Sequence, residues 1–94
     1  MYKDLNPLLH SQLRLAIIST LMSVAKANFN HLKETTKATS GNLSVQIKKL
    51  QKAGYITVEK SFKNNYPNTT LSMTDKGIKA FETYVANLKK YITP

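Results

Sequence analysis

Residues 39–56 read Thr-Ser-Gly-Asn-Leu-Ser-Val-Gln-Ile-Lys-Lys-Leu-Gln-Lys-Ala-Gly-Tyr-Ile, and this stretch decides the fold. Leu43, Ile47 and Leu50 recur at steps of four and three residues, the spacing that places side chains on one narrow face of a helix. The opposite face is small, polar and cationic and carries no acid; its members are Gly41, Asn42, Val45, Lys48, Lys49 and Lys52. The pattern predicts a helix with one face toward a core and the other toward a polyanion.

Both ends of this helix are marked in the sequence. Thr39 can cap the start through its hydroxyl, and Gly54 can end the helix in the left-handed conformation. The cationic face has two interpretations, a solvated lysine surface or a nucleic-acid recognition helix. We favour the second, because a solvated helix usually pairs Glu with Lys four residues apart, and this face offers no acid for such a pair.

Composition agrees with a polyanionic partner. The 94 residues include fourteen Lys and Arg against five Asp and Glu, a formal net charge of +9. A charge that positive on so small a body attracts phosphate backbones or anionic membranes. The length allows one domain with a modest core, and the lack of Cys rules out a disulfide framework or a thiolate metal site. Association into a dimer is the remaining common way to bury more apolar surface.

Two helices are predicted to precede this segment. The first runs from about Pro7 to Ala25, with Asn6 before it at the start. The second runs from about His31 to Lys37, with Asn30 as its N-cap. Because only Ala38-Thr39 separates the second helix from the basic third helix, the pair is typical of a helix-turn-helix.

A β-hairpin and a final helix are predicted to follow. Apolar and polar residues alternate over 55–62, with Phe62 on the half-buried face of the strand. The turn is predicted over 63–68 and the return strand over 69–73. Thr74 caps a last helix that runs to about Tyr91. This order predicts a winged helix-turn-helix, an α+β and mostly helical fold, as a single domain over residues 1–94.

The two terminal helices, at about 7–25 and 75–91, are predicted to form a homodimer interface. The first is apolar on two sides, so one side can face the core while the other faces a partner chain. The last repeats apolar residues at alternating steps of three and four, the spacing of a coiled-coil seam, although a plain core stripe looks similar. The residues assigned to the interface are Leu8, Leu15, Ile18, Met22, Phe81, Tyr84, Val85, Leu88 and Tyr91.

Three segments, at 39–44, 49–56 and 69–77, together resemble the small winged-helix transcriptional regulators related to the MarR group. The resemblance covers about residues 6–88. It implies a dimeric DNA-binding regulator whose third helix enters the major groove and whose hairpin tip, the wing, reaches the adjacent minor groove. Such relatives commonly carry arginines at the wing tip, whereas this chain has Lys63, Asn64, Asn65 and Asn68. The wing is therefore expected to contribute less to affinity here.

Contacts to double-stranded DNA are assigned to the third helix and the wing. On the helix they are Ser40, Gly41, Asn42, Ser44, Val45, Gln46, Lys48, Lys49 and Lys52; on the wing they are Lys60, Lys63, Asn64, Asn65 and Asn68. The lysines suit phosphates, whereas Asn42, Ser44 and Gln46 suit base edges, with Asn favouring adenine. Val45 either meets a thymine methyl group or touches a neighbouring loop.

Other classes of function find little support in the sequence. His10 and His31 lie on different predicted helices and the three glycines are isolated, so no enzyme, cofactor or metal site is predicted. No segment approaches the ~20 apolar residues of a membrane span, and we expect the protein in the cytoplasm. The main alternative is a winged helix that binds RNA or another protein. Any small-molecule effector would have to bind at the dimer interface, and no residue identifies one.

Overall fold

The computed structural model describes residues 2–93 as four helices and one three-stranded sheet. The helices are α1 (Gln12–Val24), α2 (Phe29–Thr36), α3 (Ser40–Lys52) and α4 (Asp75–Ile92), and the strands are β1 (Lys26–Asn28), β2 (Ile56–Lys63) and β3 (Tyr66–Met73). The sheet is antiparallel in the order β1-β3-β2. The predicted fold class, a mostly helical α+β winged helix, is confirmed.

The chain before α1 forms a turn, and the prediction that the first helix starts near Pro7 is wrong. The Asn6 side-chain oxygen accepts a hydrogen bond from the backbone N–H of Leu8 at 2.9 Å. The backbone carbonyl of Asn6 accepts a second one from the backbone N–H of His10, also at 2.9 Å. An Asn side chain that bonds the backbone two residues on stabilises a turn in place of a helix. At its other end α1 stops before Ala25, which has a φ of 68°.

A strand that the sequence pattern did not indicate, β1, connects α1 to α2. It pairs with residues 70–72 of β3 and buries Ala27. Three residues are too few to show the alternation by which a strand is recognised. As a result, the N-cap of α2 is Asn28, whose side chain accepts from the His31 backbone N–H at 2.7 Å, and not Asn30 as predicted.

The hairpin of β2 and β3 is longer than predicted and its turn is tighter. Lys63 pairs with Tyr66, so the turn itself contains only Asn64 and Asn65, with φ of 53° and 66°. Two residues with positive φ form the turn that matches the twist of a hairpin, and Asn tolerates that conformation. Phe62 was predicted to be half-buried but is 78% exposed, because the hairpin extends beyond the core.

One hydrophobic core lies between the first three helices and the sheet. Its fully buried side chains are Leu9, Ile17, Ile18, Leu21, Leu32, Leu43, Leu50 and Leu71. Helix α4 begins as predicted, since the Thr74 hydroxyl accepts from the Gly77 backbone N–H at 3.0 Å. Tyr84 is the large side chain that α4 buries almost completely. The described chain is elongated, with extents of 54 × 25 × 21 Å, and much of α4 keeps a partly exposed apolar face.

Candidate nucleic-acid interface

Helix α3 is fixed to the core along the apolar stripe that the sequence predicted. Leu43 and Leu50 are fully buried and Ile47 is 6% exposed. The Thr39 hydroxyl caps the first turn by accepting from the Asn42 backbone N–H at 3.1 Å. After the helix Gly54 adopts a φ of 81°, the left-handed conformation expected there. The orientation of α3 is thereby fixed, and its other face is directed outward.

The outward face of α3 presents the residues assigned to DNA contacts. Most are exposed (Ser40, Gly41, Asn42, Val45, Lys48, Lys49 and Lys52), whereas Ser44 and Gln46 are half-buried. Val45 exposes 49% of its surface, so an apolar contact area remains available to a partner. Because no acid lies within α3, the field over this face is cationic.

A hydrogen-bonded chain of side chains links α1 to this face. Arg14 donates from Nη1 to the Gln46 Oε1 at 2.5 Å and from Nε to the Leu8 carbonyl at 2.6 Å. Gln46 in turn donates from Nε2 to the Asn42 Oδ1 at 3.0 Å. Arg14 was not among the residues predicted for the site. The only feature of the sequence that sets this residue apart is its type, because Arg14 is the one arginine in a chain with thirteen lysines.

The wing tip differs in chemistry from the prediction. Lys60, Lys63, Asn64 and Asn65 are exposed there as expected. Asn68 is half-buried on β3, and its Nδ2 donates to the Thr70 hydroxyl at 3.1 Å, so it is not part of the turn. Two aromatic side chains that were not assigned to the site, Phe62 and Tyr66, are 78% and 74% exposed.

The residues assigned to a dimer interface fall into two groups. Ile18 and Tyr84 are buried within the chain itself, and the Tyr84 hydroxyl lies 2.9 Å from the His10 Nδ1. The others, Leu8, Leu15, Met22, Phe81, Val85, Leu88 and Tyr91, keep part of their surface exposed. Met22, Phe81 and Val85 line an open groove between α1 and α4. Tyr91 stacks on Tyr2 with ring centroids 4.7 Å apart.

The described residues, 2–93, offer neither a cluster of metal-ligating side chains nor a membrane-spanning helix. Within that range no group of three His, Cys, Asp or Glu side chains lies close enough to hold a metal ion. None of the helices in the same range has the length and apolar character needed to cross a membrane.

Sequence comparison connects the chain to known proteins over most of its length. Residues 13–92 match the family of winged helix DNA-binding domains. An uncharacterized protein of Methanocaldococcus jannaschii is 34% identical over 76 residues, which are 81% of this chain and 83% of that protein.

Solved structures show the same architecture. The structure of a transcriptional regulator homologue from Pyrococcus horikoshii superposes with a TM-score of 0.84 at 28% identity, covering 90% of this chain and 84% of that one. A MarR family transcriptional regulator from Silicibacter pomeroyi gives a TM-score of 0.69 at 13% identity, covering 88% and 55% respectively. At that identity the second likeness is one of fold alone. The predicted resemblance to winged-helix DNA-binding proteins is confirmed by the family match over residues 13–92.

Proposed function

The chain belongs to the family of winged helix DNA-binding domains, and from this premise we propose that it regulates transcription as a homodimer bound to specific duplex DNA sites. The observation that carries the proposal is the division of α3 into two faces. Leu43, Ile47 and Leu50 hold one face in the core, while the cationic face is left exposed. This is the arrangement that a helix needs in order to enter a major groove without losing its place in the fold.

The proposed contacts on α3 separate into two chemical kinds. Lys48, Lys49 and Lys52 are exposed along the second half of the helix, where ammonium groups suit phosphates and fix register without reading sequence. Asn42 and Val45 are exposed nearer its start, where a recognition helix meets base edges. Asn can bond adenine through two atoms and Val can contact a thymine methyl group, so the proposed site is rich in A·T pairs.

The wing is proposed as a second contact, to the adjacent minor groove. Its exposed tip carries Lys60 and Lys63, and no acidic residue lies within residues 60–65. The neighbouring Phe62 and Tyr66 give the tip an apolar character that proteins use to wedge into minor grooves. In this proposal aromatic side chains take part of the role that arginines have in related wings.

The homodimer is proposed to form through α1 and α4. Helix α4 carries partly exposed apolar residues along its length, among them Phe81, Val85 and Leu88. Of these, Phe81 and Val85 line a groove with Met22 of α1 that a second copy can cover. A two-fold dimer would present two copies of α3 to successive major grooves, which calls for an inverted-repeat site with half-sites about 10 bp apart or a multiple of that.

The test is a comparison of nucleic acids at several salt concentrations. Fluorescence anisotropy should show tighter binding to duplex DNA than to single-stranded DNA or to RNA of the same sequence. If each protomer places about four lysines on phosphates, the log–log salt slope on duplex should be about −7. Selection from genomic fragments should then recover a preferred site. Tighter binding to RNA, or a slope near zero, would point to an RNA-binding or protein-binding winged helix instead.

A further inference from the structure

Two hydrogen bonds, with Gln46 between them, link the Asn42 side chain to a residue on another helix, Arg14. Arg14, half-buried on α1, spans from the Leu8 carbonyl (Nε, 2.6 Å) to the Gln46 Oε1 (Nη1, 2.5 Å). Gln46 continues the chain to the Asn42 Oδ1 at 3.0 Å. Arg14 and Gln46 are 32 positions apart in sequence, so this link depends on the fold and not on local helix geometry.

The chemistry of the guanidinium fixes the order of donors and acceptors along this chain. A guanidinium has five N–H donors and no acceptor, so Gln46 must turn its carbonyl oxygen toward Arg14. Its amide nitrogen then has to face Asn42. Asn42 must accept through Oδ1, because an amide nitrogen there would meet another donor. The guanidinium of Arg14 thus sets which end of the Gln46 amide, and in turn of the Asn42 amide, faces its neighbour.

We infer that Arg14 is a positioning residue that sets the hydrogen-bonding pattern which Asn42 presents to a base, an inference that rests on the proposed DNA-binding function. With Oδ1 held by Gln46, Asn42 keeps one lone pair on Oδ1 and both hydrogens on Nδ2. That is the acceptor–donor pair that reads the N6 amino group and N7 of adenine in the major groove. With the Asn42 amide turned around, a donor would face the N6 amino group and an acceptor would face N7, so neither hydrogen bond could form.

Gln46 was predicted to contact base edges, but these bonds give it a different role. Its carbonyl oxygen is bonded to Arg14 and its amide nitrogen to Asn42. It is also half-buried, whereas Asn42 is exposed. Gln46 therefore acts as the bridge between the positioning residue and the reading residue, and Asn42 is left as the reader of the base.

An arginine is required at position 14 for geometric reasons. Its planar fork holds two acceptors on different elements at once, the Leu8 carbonyl in the N-terminal turn and Gln46 on α3. A lysine keeps the charge but offers a single ammonium on a flexible stem. Arg14→Lys therefore removes the positioning while it preserves electrostatic attraction to DNA. Gln46→Met breaks the bridge without any change in charge and serves as the second variant.

The first experiment needs no DNA. In the free protein, NMR relaxation of the Asn42 side-chain amide reports how firmly that group is held, and circular dichroism checks that each variant is folded. We expect the order parameter of the Asn42 amide to fall clearly in Arg14→Lys and in Gln46→Met. An Asn42 amide that stays equally ordered in both folded variants would overturn the inference.

The second experiment measures specificity. The probes are a duplex recovered by selection from a random library, its single-base-pair variants and a random duplex. We expect Arg14→Lys to reduce the preference for the adenine that Asn42 reads by roughly tenfold, with the salt slope unchanged. In an Asn42→Ala background the same substitution should cost nothing further, because the two residues act as a unit.

Two results would contradict this role. An equal loss for Arg14→Lys with and without Asn42 would show that Arg14 acts on its own, for example on a phosphate. An equal loss of affinity by Arg14→Lys on the selected and random duplexes would likewise show that Arg14 does not act through Asn42. If the wild-type protein bound no duplex at all, the proposed function would fail, yet the NMR measurement on the free protein would still decide whether Arg14 orders Asn42.

Discussion

Gly77 lies directly against the backbone of Tyr55, and a Cβ atom at position 77 would overlap the Tyr55 carbonyl oxygen. The same carbonyl accepts a hydrogen bond from the Thr74 backbone N–H at 3.1 Å. The Thr74 hydroxyl also donates to the Gly54 carbonyl at 2.6 Å. The first turn of α4 is thereby joined to the start of β2, which fixes the direction in which α4 leaves the domain.

Gly77→Ala is therefore expected to destabilise the fold. The added methyl group would overlap the Tyr55 backbone and would lie 2.9 Å from the Met73 Cε, and of these only the Met side chain can move easily. We expect the free energy of unfolding to fall by about 1–3 kcal/mol, measured by urea denaturation at one protein concentration. Gly41→Ala is the control, because nothing lies within 4 Å of its Cβ position, and it should be neutral or slightly stabilising.

The proposed dimer predicts a mass in solution of twice the 10.6 kDa chain, measured by light scattering at micromolar concentration. Leu88→Asp should give a monomer or an unfolded chain, because a carboxylate left in an apolar interface without a partner is costly. Thr83→Asp introduces the same charge at an exposed position of the same helix and should leave the mass unchanged. A clean monomer for the wild type, or a folded dimer for Leu88→Asp, would refute the interface.

The lysines of α3 are expected to act on affinity and not on specificity. Lys48→Ala or Lys49→Ala should weaken binding to selected and random duplexes alike and flatten the log–log salt slope by about one unit. Lys90→Ala is the control, since it removes the same charge from the last turn of α4, an element outside the proposed α3 face. If Lys90→Ala changed the slope as much, the charge effect would be general and α3 would not be the contact surface.

The parts of the fold that the sequence predicted well are those marked by local chemistry. The starts of α3 and α4 follow from the hydroxyls of Thr39 and Thr74, each of which caps its helix as expected. Two of the errors, the missed strand β1 and the misplaced cap of α2, arose where a nonlocal partner decided the structure. Strand β1 exists because β3 lies beside it, and Asn28 becomes a cap only once β1 has formed.

In the candidate site, too, local patterns were predictable and contacts between elements were not. Helical periodicity alone was enough to predict which side of α3 is exposed. The bridge from Arg14 through Gln46 was not predictable, since it joins two helices whose relative placement no local pattern specifies. The exposure of Phe62 was also missed, because alternation predicts which face of a strand a residue occupies but not whether the core extends that far.

The wing tip gives a prediction of its own. If Phe62 meets DNA, Phe62→Ser should weaken duplex binding by roughly fivefold, equivalent to about 1 kcal/mol, by removing an apolar contact. Because Phe62 is 78% exposed, the substitution should leave thermal stability nearly unchanged. Anisotropy and a thermal melt on the same sample measure both effects. Unaltered binding by Phe62→Ser would show that the wing tip stays clear of DNA.

Specificity is expected to depend on Asn42. Replacing Asn42 by Ala should cost about 1–3 kcal/mol on the selected site and little on random duplex, because a bidentate contact to adenine is lost while phosphate contacts remain. The measurement is a pair of binding curves at one salt concentration. Ser40→Ala, an exposed change in the first turn of α3, is the matched control and should have a smaller effect. Equal losses for Asn42→Ala on both duplexes would mean that Asn42 only places the helix, and base reading would have to be reassigned to Ser44 or Val45.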